Sequence, residues 1–190
     1  MQIIDTIKAS IEVKQDIIHD NQLLNRIHEV VETCVNTFKS GNKVLFCGNG
    51  GSAADAQHLA AEFSGRFYYD RDPLFSEALH VNTSYLTAVA NDYSYDEVYA
   101  RLVSAMGKKG DILFGLSTSG NSENIIRAMK RAKELQMITI GMTGKSGGKM
   151  LAFSDLLLNI PSNDTPRIQE AHILIGHIIC EMVESKMFPK

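Results

Sequence analysis

The sequence predicts an α/β protein built on one parallel sheet, and three observations carry that expectation. Short hydrophobic runs alternate with amphipathic stretches along the chain. A glycine turn, Gly48-Asn49-Gly50-Gly51, stands between one such run and a segment of good helix formers. A hydroxyl-rich loop, Ser117-Thr118-Ser119-Gly120-Asn121-Ser122, stands in the same place after a later run. Strands alternating with helices form βαβ units, whose sheet is covered on both faces. Five strands in the flavodoxin-like order 2-1-3-4-5 would set the two loops beside the switch point, where open α/β sheets bind ligands.

From Ile3 to Lys39, apolar residues recur at helical spacing: Ile3, Ile7 and Ile11, then Leu24, Ile27, Val30, Val31, Val35 and Phe38. The pattern breaks near Asp20-Asn21, so two leading helices are expected, the second closed by Gly41. Val44-Leu45-Phe46 is the first strand, and the glycine turn leads from it into a helix. A polar connection, Tyr68 to Pro73, precedes a short second strand expected over Glu77–Val81. An apolar helix, Tyr85 to Ala90, ends at Asn91-Asp92, and Asp96-Glu97 opens another. Ile112–Leu116 reads as a buried third strand, and a helix follows from about Glu123 to Leu135. Ile138–Met142 is the fourth strand. After it comes a glycine-rich turn, Lys145 to Gly148. Leu156–Ile160 is the fifth strand, stopped by Pro161, and Pro166 to Met187 is a long final helix. No repeat, low-complexity tract or linker divides the chain, so residues 1–190 form a single domain: helices over 1–40, then an α/β core with the C-terminal helix over 41–190.

Apolar residues make up 44 % of the 190 positions and charged ones 22 %, ordinary proportions for a globular domain. The net charge of -3, with no basic run beyond the pair Lys108-Lys109, argues against a nucleic-acid surface. Cys34, Cys47 and Cys180 are few, odd in number and far apart, so they read as reduced and the protein as cytoplasmic. The N-terminus lacks the pattern of a signal peptide, and no apolar stretch approaches membrane-spanning length.

Chemistry gathers at three places. The turn Asn49-Gly50-Gly51-Ser52 lets backbone N–H groups approach a ligand at a helix N-terminus. Just inside that helix, His58 and Glu62 share a face. Their spacing fits a metal pair, an acid/base pair or a surface contact, and the cradle upstream raises the functional readings. Ser117, Thr118, Ser119 and Ser122 offer four hydroxyls at another helix start, suited to a phosphate monoester. The bland alternative makes Ser122 an N-cap; both can hold. No GxxxxGK[ST] or GxGxxG pattern is present, which disfavours nucleotide binding. The last helix carries Gln169, His172 and His177 among isoleucines, where a histidine is often a hydrogen-bonded core residue. Arg66 is expected to make a structural ion pair.

Cys47-Gly48-Asn49-Gly50-Gly51-Ser52, Gln57-His58, Glu62, Asn91-Asp92, Ser117 to Ser122, Arg167-Ile168-Gln169-Glu170 and His177 together resemble the phosphoheptose isomerase branch of the sugar isomerase (SIS) family. The likeness runs over nearly the whole chain. It implies conversion of D-sedoheptulose 7-phosphate to D-glycero-D-manno-heptose 7-phosphate, the entry to activated heptose for bacterial surface glycans. It also implies a cytoplasmic homotetramer with active sites between subunits, the N-terminal helices serving oligomer contacts. By resemblance, His58, Glu62, Gln169 and His177 match Zn²⁺ ligands, and Glu62 and His177 also match the acid/base pair. Substrate contacts are implied at Asn49, Gly50, Gly51, Ser52, Glu62, Asn91, Asp92, Ser117, Thr118, Ser119, Ser122 and Gln169. No organic cofactor is expected.

The family also holds a non-catalytic relative that binds the replication initiator, similar around Asp96-Glu97-Val98-Tyr99, and sugar-phosphate sensors. Ionisable residues at both Glu62 and His177 favour the enzyme. Gln169 and His177 stand eight residues apart, ~12 Å along a straight helix. They are therefore expected to reach a given metal from different subunits, or the helix to become regular only after Gln169.

Overall fold

The structure, a computed structural model, describes residues 2–190. Two helices lead, α1 (Gln2–His19) and α2 (Asn21–Lys39). Asp20 separates them because its Oδ1 accepts from the N–H groups of Gln22 and Leu23, an N-cap that satisfies donors the first turn leaves free. Then come β1 (Val44–Gly48), α3 (Gly51–Ser64), β2 (Ser76–Ala78), α4 (Thr83–Asp92) and α5 (Val98–Met106). The chain finishes with β3 (Ile112–Leu116), α6 (Glu123–Glu134), β4 (Ile138–Thr143), β5 (Leu156–Asn159) and α7 (Thr165–Met187).

The five strands form one parallel sheet in the order β2-β1-β3-β4-β5. Alternate strand residues feed two cores. Val44, Phe46, Ile112 and Phe114 pack with α2, α3 and α7, whereas Leu45, Cys47 and Leu113 pack with α5 and α6. In the first layer Phe46 stacks on Phe114 with ring centroids 4.8 Å apart.

One expectation is corrected, and one of two alternatives falls away. The second strand lies at Ser76–Ala78, not Glu77–Val81, because after Leu79 bonds to the Phe46 carbonyl the Val81 N–H turns back onto Ala78. The last helix does not become regular only beyond Gln169: α7 runs unbroken from Thr165, with Pro166 in its first turn, where no intrahelical donor is needed.

Helices α3 and α7 approach closely at Gly176. A Cβ there would lie 2.6 Å from both methyls of Leu59, a residue only 2 % exposed. Glycine in a helix interior costs about 1 kcal/mol relative to alanine. Here it removes the side chain that would hold the helices apart.

His172 is the hydrogen-bonded core histidine that so apolar a helix leads one to expect. It is fully buried, and its Nε2–H donates to the Thr143 carbonyl, which can only accept. Burial pushes its pKa down to about 4. The unfolded chain, with a value near 6.5, therefore binds the extra proton between roughly pH 4 and 6.5. Stability from this group is complete above that window and is lost as pH falls through it. Denaturant unfolding is expected to show His172→Gln losing less stability than the parent between pH 7 and 5, by about 2 kcal/mol. Parallel pH dependences in the two proteins would contradict the buried neutral imidazole. Gly176→Val is expected to cost about 1–3 kcal/mol by overpacking. Combined with Leu59→Ala it should show at least about 0.5 kcal/mol of favourable coupling; strict additivity would mean that the helices do not meet there.

Candidate active site

Loops after β1 and β3 flank the switch point, as the strand order requires. In the first, Gly48 passes so close to the start of α3 that a Cβ would lie 2.4 Å from the Ser52 carbonyl oxygen. Gly50, at φ 55° and ψ -122°, holds a conformation that side chains disfavour, which lets the strand turn straight into the helix. Tyr99 anchors the turn by donating its buried hydroxyl to the Gly48 carbonyl. Burial pushes that phenol well above its usual pKa. Asn49 is engaged internally: its amide exchanges two bonds with that of Asn124, both 2.9 Å, and its oxygen also accepts from Tyr95. Ser52 is buried at 4 % exposure.

In the second loop, Ser117 Oγ lies 2.9 Å from Ser122 Oγ and 3.4 Å from Ser119 Oγ. Ser122 occupies the N-cap position of α6, yet its hydroxyl turns to Ser117 and makes no capping bond. Hydroxyls therefore cluster where helix N–H groups point outward. Thr118 and Ser119 line a cleft together with Lys145 and Ser162. The loop is braced from the β4 side: a Cβ on Gly120 would strike the Gly147 carbonyl oxygen at 2.2 Å, and the Met150 N–H donates to the Gly120 carbonyl. The turn at Gly147-Gly148, without a role in the sequence reading, thus shapes the hydroxyl loop by backbone contact.

The titratable cluster flanks the α3–α7 contact at Leu59 and Gly176. His58 Nε2 is 3.2 Å from Glu62 Oε1 on the same helix and 3.0 Å from His177 Nε2 on α7. Either imidazole can donate the hydrogen they share. One donor atom from each of the three residues lies within 4.8 Å of the others. A tetrahedral ion with nitrogen and oxygen ligands at about 2.0–2.1 Å sets them about 3.3 Å apart, so this set fits one divalent cation. Burial is graded, the His58 side chain being 50 % and that of Glu62 22 % exposed, so the cluster opens toward solvent. Phe67 flanks His177, their ring centroids 5.7 Å apart.

Gln169 sits over the glycine turn: a Cβ on Gly51 would lie 2.8 Å from its Nε2. Gln169 thus joins the turn rather than the imidazoles of its own chain in the contacts observed. Asn91 donates to Asp92 at the exposed end of α4, and neither bonds to another residue of the predicted set. Arg66, expected in an ion pair, makes none among the described residues; Arg71 pairs with Glu184 instead. Asp55 was also missed, although it precedes His58 by three residues on α3. Its Oδ2 is buried without a partner, and burial pushes its carboxyl up while nearby His58 pulls it back.

The sequence matches the SIS domain family over residues 8–144. A phosphoheptose isomerase of Clostridium acetobutylicum is 55 % identical over 182 residues, covering 96 % of this chain and 93 % of that protein. One from Aneurinibacillus thermoaerophilus is 51 % identical, covering 96 % and 92 %. The solved phosphoheptose isomerase of Neisseria gonorrhoeae superposes with a TM-score of 0.91 at 43 % identity, over 97 % of both chains. That of Francisella tularensis gives 0.93 at 36 % identity, again over 97 % of both. A shared fold, a shared domain and identity above one half across nearly the full length lead to one conclusion: this chain belongs to the phosphoheptose isomerase family of SIS-domain proteins.

Proposed function

We infer that the chain is an aldose–ketose isomerase that converts D-sedoheptulose 7-phosphate to D-glycero-D-manno-heptose 7-phosphate, the first step toward nucleotide-activated heptose. Relatives named phosphoheptose isomerase support the activity. The observation that carries the site is the convergence of the Glu62 carboxylate and the His177 imidazole on His58. A non-catalytic adaptor or sensor would not need an acid/base pair beside a sugar-phosphate crevice.

Isomerisation of the open-chain ketose moves a proton from C1 to C2 through an enediolate. Glu62 takes the C1 proton and returns it to C2. His177 donates to the C2 oxygen as the carbonyl is reduced and accepts the proton of the C1 hydroxyl as the aldehyde forms, so no net proton is gained. Positioned acid–base groups each contribute about 10²–10⁴-fold. A Zn²⁺ held by His58, Glu62 and His177 would polarise the carbonyl when bound. The donor set and spacing support zinc.

The phosphate rests on Ser117, Thr118, Ser119 and Ser122; the clustered hydroxyls of the three serines support that role. The sugar chain meets the turn at Asn49, Gly50, Gly51 and Ser52, with Gln169 above it, and Asn91 and Asp92 complete its contacts. As a metal ligand, Gln169 serves the site of a second copy of the chain, because α7 is continuous through Gln169 and His177. Such sharing fits a homotetramer with sites between subunits. Ile3, Ile7 and Ile11, exposed on α1, support the N-terminal helices as contact surface. Three unpaired cysteines support a reduced, cytoplasmic setting.

Purified protein incubated with sedoheptulose 7-phosphate should yield an aldose phosphate, and a chelator should suppress it. Glu62→Gln should abolish turnover while leaving sugar-phosphate affinity nearly unchanged; near-parental turnover would refute the base assignment. Calorimetric titration of chelated protein with Zn²⁺ should give one ion per chain. His177→Ala should weaken it beyond the roughly 10–100-fold typical of a lost supporting group, and unaltered affinity would remove His177 from the ligand set.

A further inference from the structure

Arg71 lies in the connection between α3 and β2, its side chain only 2 % exposed. Its guanidinium gathers carbonyls at the end of α3. Nη2 donates to Glu62 O at 2.8 Å, and Nη1 to Phe63 O at 2.8 Å and Gly65 O at 2.9 Å. A further bond reaches Asp72 O at 3.0 Å. The carbonyls of Glu62, Phe63 and Gly65 stand at the helix C-terminus, where intrahelical donors run out. The remaining Nε donates to Glu184 Oε2 at 3.1 Å.

Glu184 stands seven residues after His177 on α7, two turns along nearly the same face. Its side chain is 1 % exposed and accepts from the N–H groups of Phe67 and Tyr68, both at 2.8 Å. Burial would push its carboxyl up, but those N–H groups and Arg71 outweigh it and hold the group below its usual value. Tyr69 closes the same loop onto the end of α7, its hydroxyl donating to Phe188 O at 2.7 Å.

One buried ion pair therefore ties together three pieces of the site: the turn of α3 that ends in Glu62, the loop whose Phe67 flanks His177, and the helix that carries His177. Buried pairs of this kind seldom stabilise a fold more than apolar residues of similar volume would. A planar fork that serves several carbonyls and one carboxylate is also something lysine cannot reproduce. We propose that Arg71 and Glu184 are positioning residues of the isomerase site: their pair fixes the Glu62 backbone against α7, so that carboxylate and imidazole hold the separation that proton transfer requires. The inference rests on the isomerase reading above.

The test compares the parent, Arg71→Lys and the double variant Arg71→Met/Glu184→Gln, reading kcat and KM for sedoheptulose 7-phosphate beside the thermal midpoint. Arg71→Lys keeps the charge but loses the fork, and its kcat is expected to fall about 10- to 100-fold, the scale of a small misplacement of reacting groups. KM should stay within about threefold, because the phosphate is held on the other loop. The double variant leaves no unpaired charge and keeps an acceptor for the loop N–H groups. Its midpoint should fall below the parental one, because the carbonyls of Glu62, Phe63 and Gly65 lose their donor, with kcat still low in the folded protein. Parental kcat in the folded double variant would reduce the pair to a structural role and overturn the inference. So would parental kcat in folded Arg71→Lys, or a loss confined to KM. An inactive parent would overturn the isomerase reading and this inference with it; an active parent with unimpaired variants overturns this inference alone.

Discussion

The site depends on the distance between α3 and α7. His58 and Glu62 belong to one helix and His177 to the other, and an imidazole reaches only so far. Bringing Nε2 of His58 within 3.0 Å of Nε2 of His177 needs helices that approach closely at the adjacent residues, where the Leu59 side chain lies against Gly176. The contact also seals the core layer in which Phe46, Phe63 and Phe114 pack. Packing and chemistry thus share one constraint: apolar side chains fill the space beneath the helices, and titratable ones project at the open end.

The two loops at the switch point are held by another kind of contact, backbone against backbone. Gly48 packs on the first turn of α3 and Gly120 on the turn at Gly147, in both cases where a Cβ has no room. The hydroxyl loop hangs between β3 and β4 and is braced by the Gly147-Gly148 turn, so it is a pre-formed surface on rigid elements. Such support is what a binding site needs to keep its donors aimed before the ligand arrives.

Buried charge is sparse and sits in two places with different work. Lys43 and Asp111 join the starts of β1 and β3, at the end of the strands opposite the candidate site, and the aspartate also accepts from the Lys108 N–H. Burial pushes the Asp111 carboxyl up, but its lysine and amide partners bring it below its usual value. Arg71 and Glu184 join the C-terminal end of α3 to α7. Arg127 pairs instead with Glu97 and Glu123 at the surface, where solvent screens the interaction and its worth is small.

Local sequence determined the elements of this protein because local physics does. Apolar runs of strand length, glycines at forced turns, the Asp20 break and helical spacing produce the same segments whatever surrounds them, and strand–helix alternation then fixes a parallel sheet with its switch point. The short β2 starts one residue earlier and ends three residues earlier than composition suggests, because edge pairing ends it. Candidate site residues were legible as types in suggestive places: a histidine and a glutamate behind a glycine turn, serines after a strand. Composition and spacing do not separate the two histidines on α7, since His172 and His177 have similar neighbours along the chain, and only the family resemblance singles out His177. Tertiary packing does separate them, turning His172 against the Thr143 carbonyl in the core and His177 toward His58. The same holds for Arg71, chosen over Arg66 as partner of Glu184: ion pairs between residues 113 positions apart exist only once the helices have packed.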